Sequence, residues 1–148
     1  MLKFVLLFLI FCCHTGTLSA QYDDPNFEKP ASGYGADGSY AVEHITFPSP
    51  DFPGENIEIF YPGGVATAVP TLFFAHGFGG TFSAYVGGML EYVARKGYAI
   101  VFVPYPTTGV SIVERCDILL AGFRRAARTY PNVIDTTQVG FMGHSFGG

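Results

Sequence analysis

The sequence predicts an α/β domain built on a mostly parallel sheet. Three observations carry that reading. Strand-like and helix-like patterns alternate from residue 71 to residue 144. The apolar runs at residues 71–75 and 98–103 lack the polar alternation of a strand with one wet face, so they read as strands buried on both faces. Two Gly-rich loops, His-Gly-Phe-Gly-Gly at residues 76–80 and Gly-His-Ser-Phe-Gly-Gly at residues 143–148, follow strand patterns. They fall where parallel sheets place their sites, beyond the carboxyl ends of the strands.

Composition bounds the possibilities. The 148 residues suit one domain, with 49% hydrophobic and 14% charged residues and a net charge of −4. Such a chain is neither disordered nor, without a basic stripe, a partner for nucleic acid. Residues 1–20 have the form of a secretory signal peptide. Lys3 supplies the positive start, residues 4–13 the apolar stretch, and Leu18-Ser19-Ala20 a small-residue cleavage site before Gln21. The apolar stretch is shorter than the roughly 20 residues of a bilayer span, so no stable membrane anchor is expected. Phe11 ahead of Cys12 and Cys13 argues against lipid attachment there. The expected location is secreted or periplasmic. After the leader only Cys116 remains. It reads as a buried thiol on a helix face; the alternative is pairing with a cysteine beyond Gly148, which an oxidising compartment permits.

Residues 21–38, rich in Asp, Pro and Gly, read as a flexible lead-in, and residues 39–148 as the folded part. Residues 40–47 carry β-branched and aromatic side chains and are closed by Pro48 and Pro50. Residues 56–61 set Ile57 and Ile59 on one face and break at Pro62-Gly63-Gly64. These two strands should open the domain as an antiparallel pair. The buried strand at residues 71–75 leads into the first Gly-rich loop. Residues 82–96 follow as a helix, weakened by Gly87-Gly88 and ended by Arg95, Lys96 and Gly97. The strand at residues 98–103 stops at Pro104. A second helix spans residues 111–130. Ser111 and Glu114 fit a capping box there, and Ile112, Cys116, Leu119, Leu120, Phe123 and Ala127 form its apolar stripe. Arg124, Arg125 and Arg128 suit the negative end of its dipole, and Pro131 stops it. Residues 139–144 form the last strand.

The chemistry centres on Ser145. A hydroxyl is a poor nucleophile unless it is held clear of the core within reach of a base. A sharp strand-to-helix turn presents it so, with small neighbours such as Gly143 and Gly147 making room. The motif alone is weak evidence in a chain with 19 glycines; the apolar strand before it and the His-Gly loop upstream strengthen it. The alternative is a Gly-rich turn with an exposed serine. Attack by Ser145 on an ester makes an oxyanion, for which two backbone amides are candidates. One is Phe146, directly after the nucleophile; the other is Phe78, in the loop after the first parallel strand. Phe78, Tyr105 and Phe146 are candidates to line an apolar cleft, or are packing residues. His44, His76 and His144 are poor candidates for the base: His44 lies in an early strand, His76 orders its loop, and the His144 side chain points away from that of the serine. Asp117 and Asp135 read as surface and loop residues. No cluster has metal-ligand or phosphate-loop spacing.

With those residues in place, the chain resembles the α/β-hydrolase superfamily. The resemblance runs over residues 33–148. It is carried by Gly33-Tyr34-Gly35, by residues 73–80 (Phe-Phe-Ala-His-Gly-Phe-Gly-Gly), by residues 96–101 (Lys-Gly-Tyr-Ala-Ile-Val) and by residues 135–148, which end in Gly-His-Ser-Phe-Gly-Gly. It is nearest the secreted branch of cutinase-like polyester hydrolases, dienelactone-hydrolase-like esterases, chlorophyllases and platelet-activating-factor acetylhydrolases. The polyester hydrolases carry Trp before the serine and Met after it; His144 and Phe146 depart from that pattern, which counts against polyester cleavage. The resemblance implies the N-terminal half of an α/β-hydrolase fold, ending at the nucleophile elbow. It implies Ser145 as nucleophile, the amides of Phe78 and Phe146 as oxyanion hole, no cofactor, and a small-molecule or lipid-like ester as substrate. In that architecture the acid and the histidine follow the serine, so both are expected beyond Gly148. The 148 residues are then the front of a longer reading frame and inactive alone. Two other functions compete: a serine peptidase of prolyl-oligopeptidase type, which shares the elbow, and a non-catalytic binding protein on the same scaffold.

Overall fold

The computed structural model describes residues 30–148. The signal-like leader and residues 21–29 of the lead-in lie outside the described residues. Among the described residues the first elements are two strands, β1 (Val42–Pro48) and β2 (Asn56–Pro62). They pair antiparallel, with Val42 opposite Pro62 and Pro48 opposite Asn56. Three strands follow: β3 (Val69–Ala75), β4 (Ala99–Phe102) and β5 (Ile134–Gly143). The sheet order is β1-β2-β4-β3-β5. β3 pairs in parallel with both β4 and β5, and β2 runs antiparallel to β1 and β4. All strands except β2 therefore point one way.

Two helices cover opposite faces, as the crossover rule for parallel strands requires. Alternation along each strand sorts the side chains between them. Phe73, Val101 and Val103 pack with Ile57, Ile59, Phe123 and Ala126 on the side of α2 (Ile112–Thr129). Phe74, Ile100 and Phe102 pack with Phe60, Leu90 and Ala94 on the side of α1 (Gly87–Arg95). β4 is buried on both faces throughout.

Local chemistry sets the helix ends. At the start of α2 the Ser111 hydroxyl accepts from the Glu114 amide (3.2 Å) and the Glu114 carboxylate accepts from the Ser111 amide (2.7 Å). These bonds hold the Glu114 carboxyl below its usual range. At the end of α1, Gly97 takes the left-handed conformation (φ +95) that ends helices. Residues of the lead-in are held against this helix. The Tyr92 hydroxyl donates to the carbonyls of Tyr34 (2.7 Å) and Ala36 (3.2 Å), and the Lys96 ammonium donates to that of Gly33 (3.3 Å).

Three local expectations need correction. The helix at residues 82–96 is split: Ser83–Tyr85 is a single 3-10 turn, Val86 (φ −124, ψ 10) leaves helical geometry, and α1 starts at Gly87. Phe82 and Tyr85 are exposed, so no apolar burial ties that first turn to the sheet. β5 starts five residues before the expected 139. A bulge lets Ile134 and Asp135 pair with Val69 and Pro70 before the ladder resumes at Thr71 opposite Val139. The Asp135 carboxylate closes that bulge, accepting from the Thr137 hydroxyl (2.6 Å), the Thr137 amide (2.8 Å) and the Gln138 side chain (3.0 Å). The Thr137 hydroxyl and amide, with Gln138, hold the carboxyl below its usual value. Cys116 is exposed rather than buried. α2 docks through its second half, where Gly122, Phe123 and Ala126 are buried, and Ile112 and Leu120 of the expected stripe are exposed as well.

Two glycines of similar appearance should respond in opposite directions to alanine. A Cβ on Gly88 meets nothing within 4 Å, so Gly88→Ala should stabilise by about 0.5–1 kcal/mol through helix propensity. A Cβ on Gly122 would lie 2.5 Å from Cγ1 of the fully buried Val103. Gly122→Ala should therefore destabilise by roughly 1–3 kcal/mol despite the same propensity gain. Denaturant midpoints of the two variants check the signs.

Candidate active site

β3 and β5 are neighbours in register, with Ala75 opposite Gly143. The two Gly-rich loops therefore emerge side by side at the carboxyl ends of parallel strands. The His144 amide donates to the Ala75 carbonyl (3.1 Å) and extends the contact one residue past the strand. The chain then turns sharply. The amides of Gly147 and Gly148 close the turn onto the carbonyls of His144 and Ser145 (both 3.0 Å). At its tip Ser145 has φ +53 and is, among the described residues, the one non-glycine with positive φ. A β-substituted residue in that region is strained. The side chain is exposed.

The flanking glycines are required by space rather than by φ. A Cβ on Gly143 would collide with the Gly147 carbonyl, and one on Gly147 with the carbonyls of Ala75 and His76. The spacing Gly-x-Ser-x-Gly thus follows from folding one turn against the end of β3.

The loop after β3 is anchored by His76, which is 1% exposed. Its ring stacks on Tyr105 (centroids 4.0 Å apart) and lies over Phe102 (5.5 Å). The Tyr105 amide donates to Nε2 (3.1 Å), which makes Nε2 the acceptor and places the ring proton on Nδ1, donating to the Gly77 carbonyl (2.8 Å). The Tyr105 hydroxyl donates in turn to the His76 carbonyl. Burial holds the His76 pKa below 6.5, opposed in part by the Gly77 carbonyl. Both ring nitrogens are occupied, so His76 orders the loop. Tyr105 is 2% exposed and packs in this stack, so it does not line a cleft. His44 lies away on β1, paired with Glu58 (2.7 Å) and stacked on Phe60 (4.1 Å).

Phe78 stands at the loop tip, exposed, with its ring edge-to-face against that of Phe146 (6.0 Å). The two residues singled out for their amides are thus in contact through their side chains. Among the described residues the Phe78 amide has no acceptor, and the turn's own bonds leave the Phe146 amide out. The next amide, Gly79, donates to the Thr107 hydroxyl (3.2 Å) in the segment after β4. Three adjacent strands, β4, β3 and β5, therefore deliver their following segments to one place. Sequence reasoning missed Thr107 and Arg115 there. Arg115 carried a readable signal: a cation in the first turn of a helix, where the dipole disfavours it.

A separate depression of about 290 Å³, lined by Pro70, Leu72, Tyr98 and Val139 among others, lies at the amino-terminal part of β3, away from Ser145. Among the described residues no group of three or more His, Cys, Asp or Glu could hold a metal ion, and no helix is long and apolar enough to cross a membrane.

No family model and no curated protein sequence matches this chain. Among solved structures it is similar to esterase B from Lactobacillus rhamnosis, determined with a tributyrin phosphonate inhibitor. The TM-score is 0.60 at 22% sequence identity, over 69% of this chain and 36% of that one. The likeness extends to the fold, a mixed α/β architecture with a mostly parallel sheet and flanking helices. The chain spans about a third of that esterase's length.

Two outcomes follow from this geometry. Ser145→Gly relieves the φ +53 strain and should melt above Ser145→Ala by the equivalent of about 1 kcal/mol. Equal melting temperatures would show that the turn relaxes without strain. The second concerns acid. The folded ring of His76 has a depressed pKa, so its stabilising effect is complete above the unfolded value of about 6.5 and is lost as pH falls below it. The melting temperature should drop as pH falls below about 6.5, and His76→Gln should flatten that drop. An unchanged slope in the variant would refute the assignment.

Proposed function

We propose that this chain carries the nucleophile portion of an exported serine hydrolase acting on carboxylic esters through an acyl-enzyme. The observation that supports it most is the left-handed Ser145 at the tip of the turn beyond β5, followed by Phe146, whose ring meets that of Phe78 on the neighbouring loop; neither of these two amides has an acceptor among the described residues. In the proposed reaction Ser145 Oγ attacks the ester carbonyl carbon, and the carbonyl electron pair moves onto oxygen. The amides of Phe78 and Phe146 donate to that oxyanion, each worth roughly 3–4 kcal/mol of barrier by comparison with other oxyanion holes. Collapse expels the alcohol, which takes up the proton released by the serine, and leaves the acyl group on Oγ for water to remove. His44 and His76 are engaged elsewhere. The proposal places the base and its carboxylate after Gly148, in the order usual for this architecture. The substrate is a small-molecule or lipid-like ester. Secretion to the cell exterior or periplasm is part of the proposal and rests on the leader sequence.

A fluorophosphonate probe applied to the full-length protein should label Ser145, and Ser145→Ala should abolish labelling. Short-chain nitrophenyl esters should be turned over in preference to peptide amides. Preferential amide cleavage would assign a peptidase, and absence of labelling would assign a non-catalytic scaffold.

A further inference from the structure

We propose that Arg115 is a positioning residue that holds the two oxyanion-hole amides in register; the inference rests on the reading of Ser145 as nucleophile. Arg115 sits one residue after the capping Glu114, at the start of α2. Its Nη2 donates to the carbonyls of Val110 (3.2 Å) and Thr107 (3.4 Å). The guanidinium carbon lies 4.4 Å from the centroid of the Phe146 ring, a cation–π contact. These contacts join others into a closed ring. Phe146 meets Phe78 edge-to-face. Gly79, the residue after Phe78, donates its amide to the Thr107 hydroxyl. Thr107 returns through its carbonyl to Arg115. The two amides at issue, those of Phe78 and Phe146, belong to residues on separate strand ends, and this ring of side-chain contacts links both through one guanidinium.

Local stability does not explain the residue. A cation in the first helical turn opposes the dipole, and the Arg115 Nε–H is buried without a partner among the described residues, which is itself unfavourable. A residue that breaks local rules in this way belongs where function requires it. Lysine could not reproduce the arrangement, since a planar fork that lies over a ring while reaching two carbonyls is specific to arginine.

An oxyanion hole acts on the transition state, so its misalignment lowers kcat and leaves KM nearly unchanged. In the full-length protein Arg115→Met should lower kcat for a short-chain nitrophenyl ester about tenfold, with KM within about twofold. Arg115→Lys should recover part of the loss. Thr107→Val, which deletes the acceptor of the Gly79 amide at nearly constant shape, should lower kcat in the same sense. The double variant should lose less than the product of the two single effects, as expected for members of one unit. Fluorophosphonate labelling of Ser145 in the unmodified protein separates the two levels. With no labelling, the nucleophile reading fails and the Arg115 role with it. With labelling intact, an unchanged kcat in Arg115→Met, a change confined to KM, or multiplicative effects in the double variant overturns the positioning role alone. If Arg115→Met does not fold, Thr107→Val carries the test: reduced kcat at constant KM supports the ring, and unchanged kcat refutes it.

Discussion

The arrangement depends on one close approach of backbone to backbone. The turn after β5 folds against the end of β3 so tightly that Gly147 has no room for a Cβ beside the carbonyls of Ala75 and His76. The His144 amide bonds to one of those same carbonyls. This contact fixes where Ser145 stands relative to the loop carrying Phe78. It also accounts for the backbone strain at Ser145: a positive φ costs on the order of 1–2 kcal/mol, and the parallel ladder from Thr71 to Ala75 holds the turn in place against it.

The loop beside the turn after β5 is made rigid by different means. His76 is removed from water, stacked between aromatic rings, and given a partner at each nitrogen. A neutral, fully bonded imidazole is a good wedge and a poor base. That division of labour suits the fold. The residues preceding each loop are buried and locked, while the loop tips, Phe78 and Ser145, reach solvent. Residues placed on loop tips and supported by buried anchors keep their geometry without being buried themselves.

Structural similarity to an esterase at 22% identity extends to the fold, and fold leaves chemistry open. Chemistry has to come from the site. There Ser145 is strained at its turn, and the Arg115 guanidinium contacts Phe146 on that turn and the Thr107 carbonyl beside the loop that carries Phe78. Through Thr107 and Phe146 the guanidinium contact joins loops that follow two different strands, β3 and β5. Strand register alone sets the ends of β3 and β5 side by side but says nothing about how each loop turns beyond them.

Much of this was readable in the sequence, because it depends on short-range rules. Buried strands show as apolar runs, the capping box of Ser111 and Glu114 spans three residues, Gly97 ends its helix where a left-handed residue is needed, and Gly143 and Gly147 bracket the serine they make room for. Other features depend on residues distant along the chain. The Asp135 bulge needed β3 beside it before β5 could start early. Half of the α2 stripe, Cys116 included, stays exposed because the helix docks where Gly122 meets Val103. Tyr105 became the partner of His76, 29 residues away, and Arg115 met Phe146 in the turn after β5. The sequence by itself determined the order of strands and helices and which serine stands at a turn, though not the start of α1 or of β5, since order follows from periodicity and local sterics. Only the tertiary structure decided what surrounds that serine, because packing brings together side chains that no local pattern connects.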